Sequence, residues 1–268
     1  MPALETDGVG LAYEEVGGGT PVLLIHGTGG AVWDPLPEKL AAAGYRAIYY
    51  HRRGFGASTH APIKDPPRHT RDAAALLEGL DAAPAIVVGH SMGGMLTLDL
   101  AVRRPDLVQA LVVIEPPLHF RKHPSATMLR ALVGAQVVRR VRGSEQAAQR
   151  FMRWATRTTD GLNGFDQTPP EVQAQLLANS RAIMRELDSG TGEHVTATDL
   201  GTISCPAVCL VGTITLPEYG KAAQRIKQAL PALEIVDVPG AGHVLPATHP
   251  DSVVDAVRRV SRDPAPTA

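Results

Sequence analysis

Ala85-Ile86-Val87-Val88-Gly89-His90-Ser91-Met92-Gly93-Gly94 is the stretch whose reading decides the fold. Its first four residues are a short apolar run, the pattern of a strand buried on both faces. A glycine-flanked turn over 89–93 follows, then a segment with helical character to about Arg103, stopped by Pro105. The turn is G-x-S-x-G. Alone it is weak, because nine serines and a glycine frequency near one in ten give about 0.1 chance matches. Between a buried strand and a helix it gains meaning. The flanking glycines permit a strained turn that lifts a serine hydroxyl above the sheet, and the helix behind it adds a positive dipole and free N–H groups. Ser91 is therefore a candidate nucleophile; the plainer alternative is a serine that only caps the helix.

Outward from this stretch, short β-rich runs alternate with helical ones, the rhythm of a mostly parallel sheet covered by helices. Strands are expected over 9–16, 22–25, 46–50, 107–114, 207–212 and 233–238, with helices over 36–43, 70–80, 218–230 and 250–262. Gly44 should end the first helix. From about 118 to 198 no strand-like alternation appears, and the segment reads as all helical. Within it, Thr168-Pro169-Pro170-Glu171 has the form of a helix start with Thr168 as N-cap. Val172, Leu176, Ile183 and Leu187 then fall on one face of one helix. The chain of 268 residues thus divides into one discontinuous α/β core, 1–117 and 199–268, and a helical cap, 118–198.

Composition narrows the function classes. Lys and Arg total 26 against 27 Asp and Glu, a formal net charge of −1 that argues against phosphate-driven nucleic-acid binding. No apolar run approaches the length of a membrane span, and the first ten residues lack a basic region followed by an apolar one. A cytoplasmic enzyme is expected. Two cysteines, Cys205 and Cys209, are too far apart along an extended chain for a disulfide, and they read as inert thiols. Neither they nor His119 and His123 form a metal-ligand set. No cofactor is implied.

The chain resembles the α/β-hydrolase family over nearly its whole length. His26-Gly27-Thr28-Gly29-Gly30 is similar to the family's oxyanion loop. The resemblance implies that the backbone N–H groups of Thr28 and Met92 hold a developing oxyanion. Arg53-Gly54-Phe55-Gly56-Ala57-Ser58 is similar to its R-G-x-G-x-S turn, with His51 where an Asp is frequent. Gly240-Ala241-Gly242-His243, after the last strand, matches the family's G-x-G-H pattern, so His243 is the expected general base. His60, His69, His194 and His249 read as surface or loop residues, and His26 and His90 as structural neighbours of the motifs.

The acid departs from the commoner pattern. Many relatives place an Asp three residues after the glycine ending the penultimate strand; here Gly212-Thr213-Ile214-Thr215 puts a neutral Thr there. Other members carry the acid one strand earlier. Val112-Val113-Ile114-Glu115-Pro116-Pro117-Leu118 resembles a subgroup with a Glu-Pro-Pro turn at that point, which makes Glu115 the candidate, with Pro116 expected to hold it extended. Alternatives are a salt-bridge role for Glu115, a Glu218 that reaches His243 instead, Asp199 or Asp237, or a vestigial site.

A helical cap can exclude water and shape a pocket. Trp33, Phe120, Phe151 and Trp154, with Met128, Leu129 and Leu132, are candidates to line it; the alternative is that they join helices to each other. Between Arg121 and Arg157 nine basic side chains stand against one acidic. That reads as a solvated face, or as an entrance for an acidic substrate or an acidic carrier protein. The expected function is hydrolysis of a small-molecule ester, lactone or thioester through an acyl-enzyme. A C–C hydrolase, a lyase, a haloperoxidase-like enzyme or a small-molecule receptor could be built on the same scaffold.

Overall fold

Strands form one eight-stranded sheet in the computed structural model, which describes residues 1–61, 67–120, 122–190 and 193–261. In chain order they are β1 (Ala3–Thr6), β2 (Val9–Gly17), β3 (Thr20–Ile25), β4 (Tyr45–Tyr50), β5 (Ala85–His90), β6 (Val108–Ile114), β7 (Ala207–Gly212) and β8 (Glu234–Val238). Their order across the sheet is β1-β2-β4-β3-β5-β6-β7-β8. β2 runs antiparallel to both of its neighbours, and every pairing from β4 to β8 is parallel.

The central strands are apolar nearly end to end because helices cover both faces. Leu23, Ile25, Val87, Leu111 and Val113 point to one face, under α2 (Arg68–Gly79), α3 (Met92–Arg103) and α10 (Pro217–Ala229). Val22, Leu24, Ile86, Val88 and Val112 point to the other, under α1 (Leu36–Ala42) and α12 (Pro250–Val260). Each such side chain removed from water contributes about 1.5–3 kcal/mol. Parallel pairing also places the C-terminal ends of β5, β6, β7 and β8 along one edge, where α/β folds assemble their sites. Cys209 is buried in β7 and Cys205 precedes it, both as free thiols. Among the described residues no helix is long and apolar enough to cross a membrane.

Between β6 and β7 lie α4 (Ala126–Arg142), α5 (Ser144–Ala155), α6 (Gly164–Gln167), α7 (Pro170–Ala178), α8 (Ser180–Ser189) and α9 (Ala197–Leu200). α4 to α8 share a core around Ala147, Phe151, Phe165, Ile183 and Met184, which also takes in Phe55, while Leu200 of α9 packs in the core beside the sheet. Four local expectations are corrected here. The segment is not purely helical, since Arg157 and Asn163 form a β-bridge. Thr168 is not an N-cap: its hydroxyl donates back to Gly164 O (2.8 Å) and closes α6, while Pro169 occupies the N-cap of α7. The single helix carrying Val172, Leu176, Ile183 and Leu187 is two, α7 and α8, divided at Asn179. His69 is fully buried in α2, drawn inward beside Glu186 at 3.8 Å.

Candidate active site

Ser91 sits between β5 and α3 with φ +53° and ψ −120°, a conformation that costs a non-glycine residue about 1–3 kcal/mol. Two bonds hold it there. Its N–H donates to Ile114 O (2.8 Å), and its carbonyl accepts from Gly94 N–H (2.9 Å). Gly93 is required by space, because a Cβ there would lie 1.9 Å from Ile25 O. The absent side chain lets α3 start directly behind the serine and against β3.

His243 lies in the loop between β8 and α11 (Leu245–Thr248). Its Nε2 is 3.0 Å from Ser91 Oγ and its Nδ1 is 2.5 Å from Glu115 Oε2. With the proton on Nδ1 donated to the carboxylate, Nε2 presents a lone pair to the serine hydroxyl. Glu115 is fully buried at the end of β6. Its Oε1 accepts from Gly212 N–H (2.8 Å), and its Oε2 also accepts from the Thr215 hydroxyl (3.0 Å). The Thr in the commoner acid position is thus a donor to the acid's neighbour-strand replacement. Glu115 is not extended as expected but has φ +47°. Pro116 disfavours only the right-handed helical region, and the donors around the carboxylate select the left-handed one. Glu218 does not join this group; it accepts from Thr127 Oγ1 (3.1 Å) at the start of α10. Asp199 caps α9 through Thr196.

Two rings flank the imidazole. Tyr219 stacks on it with centroids 4.1 Å apart and planes 14° apart, its hydroxyl donating to Ala155 O (3.2 Å). His90 Nε2 donates to His243 O (2.7 Å). Burial, reinforced by the nearby His243, pushes the His90 ring down to about 3, so it stays neutral and structural.

The 26–30 loop passes against the serine, since a Cβ on Gly27 would come within 2.9 Å of Ser91 Cβ. Met92 is the first residue of α3, so its N–H has no acceptor within the helix. Thr28 Oγ1 donates to Glu186 Oε2 (2.6 Å). Around these groups opens a cavity of about 700 Å³. Trp33, Phe120, Phe151 and Trp154 all line it, as do Met128 and Leu132; Leu129 instead faces outward and is half exposed. Its charged lining consists of Glu14, Asp34, Glu186 and Glu193, with no lysine or arginine among the described residues. The basic stretch therefore turns away from the cavity: Arg139 pairs with Asp188 and Arg153 with Asp166 on the outer surface, and Arg121 lies outside the described residues. Among the described residues no group of three or more His, Cys, Asp and Glu could hold a metal ion.

Sequence patterns do not single out Tyr219 or Asn179, which, like Glu186, reach the site from elements remote in the chain. Thr215 was visible only as a missing acid. One signal was available for Glu186, a carboxylate on the apolar side of a helix carrying Ile183 and Leu187.

A model of the alpha/beta hydrolase family matches residues 22–256. The putative non-heme bromoperoxidase BpoC of Mycobacterium tuberculosis is 30% identical over 281 aligned positions, which cover 93% of this chain and 96% of that protein. A thermophilic esterase from Thermogutta terrifontis superposes with a TM-score of 0.76 at 25% identity, covering 96% of this chain and 95% of its own. The enol-lactonase from Burkholderia xenovorans LB400 shares the fold with a TM-score of 0.78 at 20% identity, over 98% of this chain and 100% of its own. The chain is a member of the α/β-hydrolase family of enzymes.

Proposed function

We propose that this protein is a serine hydrolase that cleaves an ester or lactone of a neutral, largely apolar small molecule through an acyl-enzyme on Ser91. The observation that carries the reading is the relay Ser91–His243–Glu115, at 3.0 and 2.5 Å. His243 takes the serine proton as Oγ attacks the carbonyl and returns it to the leaving alkoxide; Glu115 orients the imidazole and stabilises the imidazolium. The N–H groups of Thr28 and Met92 receive the oxyanion. Water, activated by the same histidine, then releases the acid.

The substrate class follows from the lining. Aromatic and thioether side chains supply apolar contact; with Glu186 paired to Arg52, the remaining carboxylates Glu14, Asp34 and Glu193, with no lysine or arginine in the described lining, disfavour an anionic substrate such as a charged thioester. A nitrophenyl ester series of increasing chain length, run with succinate half-esters as anionic counterparts, tests this. Burst kinetics, fluorophosphonate labelling of Ser91 and a preference for the neutral esters are expected. No burst and no label would sink the reading and favour a receptor. A haloperoxidase-like activity is the second reading, favoured by the name of the relative 30% identical to this chain; halide oxidation with hydrogen peroxide and a carboxylic acid checks it.

A further inference from the structure

We infer that Glu186 and Asn179, two residues of the helical insertion, position the oxyanion loop, so that the insertion takes part in assembling the catalytic site as well as covering it. The inference rests on the acyl-transfer reading of Ser91.

Glu186 lies on α8 and is 1% exposed. It accepts Thr28 Oγ1–H at Oε2 (2.6 Å), Arg52 Nη1–H at Oε1 (2.5 Å) and Arg52 Nη2–H at Oε2 (3.1 Å). The same Arg52 Nη2 donates to Gly27 O (3.1 Å), and His26 Nδ1 donates to that carbonyl as well (2.7 Å). The tautomer of His26 is fixed, because its Nε2 accepts from the Arg52 backbone N–H (2.9 Å). Asn179, at the division between α7 and α8, donates from Nδ2 to Gly29 O (2.8 Å) and accepts Gly56 N–H at Oδ1 (2.8 Å). Three consecutive loop residues, 27 to 29, are thus tied to the insertion directly or through one arginine.

Peptide planarity turns this grip into aim. Gly27 C=O and Thr28 N–H belong to one trans peptide plane and point in opposite directions. Two donors that hold the Gly27 carbonyl toward the Arg52–Glu186 pair therefore direct the Thr28 N–H away from it. The Thr28 hydroxyl, bonded to Glu186, fixes the following turn of chain. A buried ion pair is a poor means of fastening α8 to the core, since apolar residues of equal volume do as well or better. What a bidentate, charge-assisted pair supplies is geometry, and geometry is what an oxyanion donor needs.

Glu186→Gln, Thr28→Val and the double variant test the assignment. Thr28→Val keeps the backbone N–H and the side-chain volume, so it reports on the hydroxyl bond even where Glu186→Gln loses stability. Each single variant should lower kcat on a neutral aryl ester about tenfold, with KM within about twofold, and the double should be no worse than either single. The preference for the oxygen ester over its thiono counterpart should shrink in the same variants, because sulfur accepts hydrogen bonds poorly and gains little from a well-aimed donor. Amide exchange over residues 22–30 should rise in Glu186→Gln and Asn179→Ala. A fall in kcat with the oxygen preference intact, or loop exchange identical to wild type, overturns the assignment. An unlabelled Ser91 in wild type overturns the acyl-transfer reading instead; the exchange measurement still decides whether the insertion holds the loop.

Discussion

Ser91 and Glu115 share an unusual property: both carry positive φ, +53° and +47°, directly after adjacent strands. Each is held against its own backbone preference by hydrogen bonds that also place its side chain. Relieving that strain at the serine should stabilise the fold while removing the nucleophile. Ser91→Gly is expected to gain about 1 kcal/mol, a rise in melting temperature of about 2–4 °C, with ester hydrolysis abolished; thermal denaturation and an aryl ester assay read both. The acid assignment has its own test. Glu115→Gln should cut kcat by about 10⁴, whereas Glu218→Gln, whose carboxylate faces Thr127, should leave kcat within about threefold. If only the second variant loses activity, Glu115 is not the acid. At this scale much was legible, since Ser91, His243 and Thr28 stand in local patterns of glycine and strand. The Glu115 backbone was misread because a following proline excludes one region of dihedral space without choosing between the others.

Among elements, the β5–Ser91–α3 unit depends on how closely α3 approaches β3. Gly93→Ala places a methyl group on Ile25 O, where the nearest approach is 1.9 Å, against backbone that cannot yield. A loss of about 3 kcal/mol or more is expected, visible as a lower urea midpoint; wild-type stability in this variant would contradict the packing described. The α7–α8 pair shows where sequence periodicity misleads. Val172, Leu176, Ile183 and Leu187 recur at helical spacing across the division, because both helices turn their apolar side to the same core. A break that keeps phase leaves no mark on the pattern. Only Asn179, a residue whose side chain competes for backbone bonds, marks the position, and the two loops it joins come from the distant core.

For the whole molecule, three buried imidazoles set the response to acid. Burial lowers all three below their ordinary value of 6.5, reinforced by the positive charge of Arg52 at His26 and of Arg52 and Arg53 at His69. Below pH 6.5 the unfolded chain therefore binds protons that the folded one refuses. Stability falls as pH falls, by about 1.4 kcal/mol per pH unit for each histidine still neutral in the fold. Denaturant midpoints should drop steeply between pH 6.5 and 5, and His69→Leu should flatten that slope by one histidine's share. A slope unchanged by the substitution would mean that His69 titrates alike in both states. The mostly parallel sheet flanked by helices follows from strand and helix patterns read along the chain. The neutrality of His69 does not, because it depends on the burial and the two arginines, Arg52 and Arg53, that tertiary folding gathers around it.

The meeting of Glu115 and Thr215 at one carboxylate oxygen bears on how the imidazole's acid can be supplied. β6 and β7 are parallel neighbours in register, Ile114 opposite Leu210, so a residue after β7, Thr215, reaches the carboxylate that a residue after β6, Glu115, presents to the ring. Here the carboxylate follows β6, and the position after β7 carries a hydroxyl that steadies it. An absent aspartate after the penultimate strand therefore does not leave the imidazole without a carboxylate; the strand beside it has to be read first.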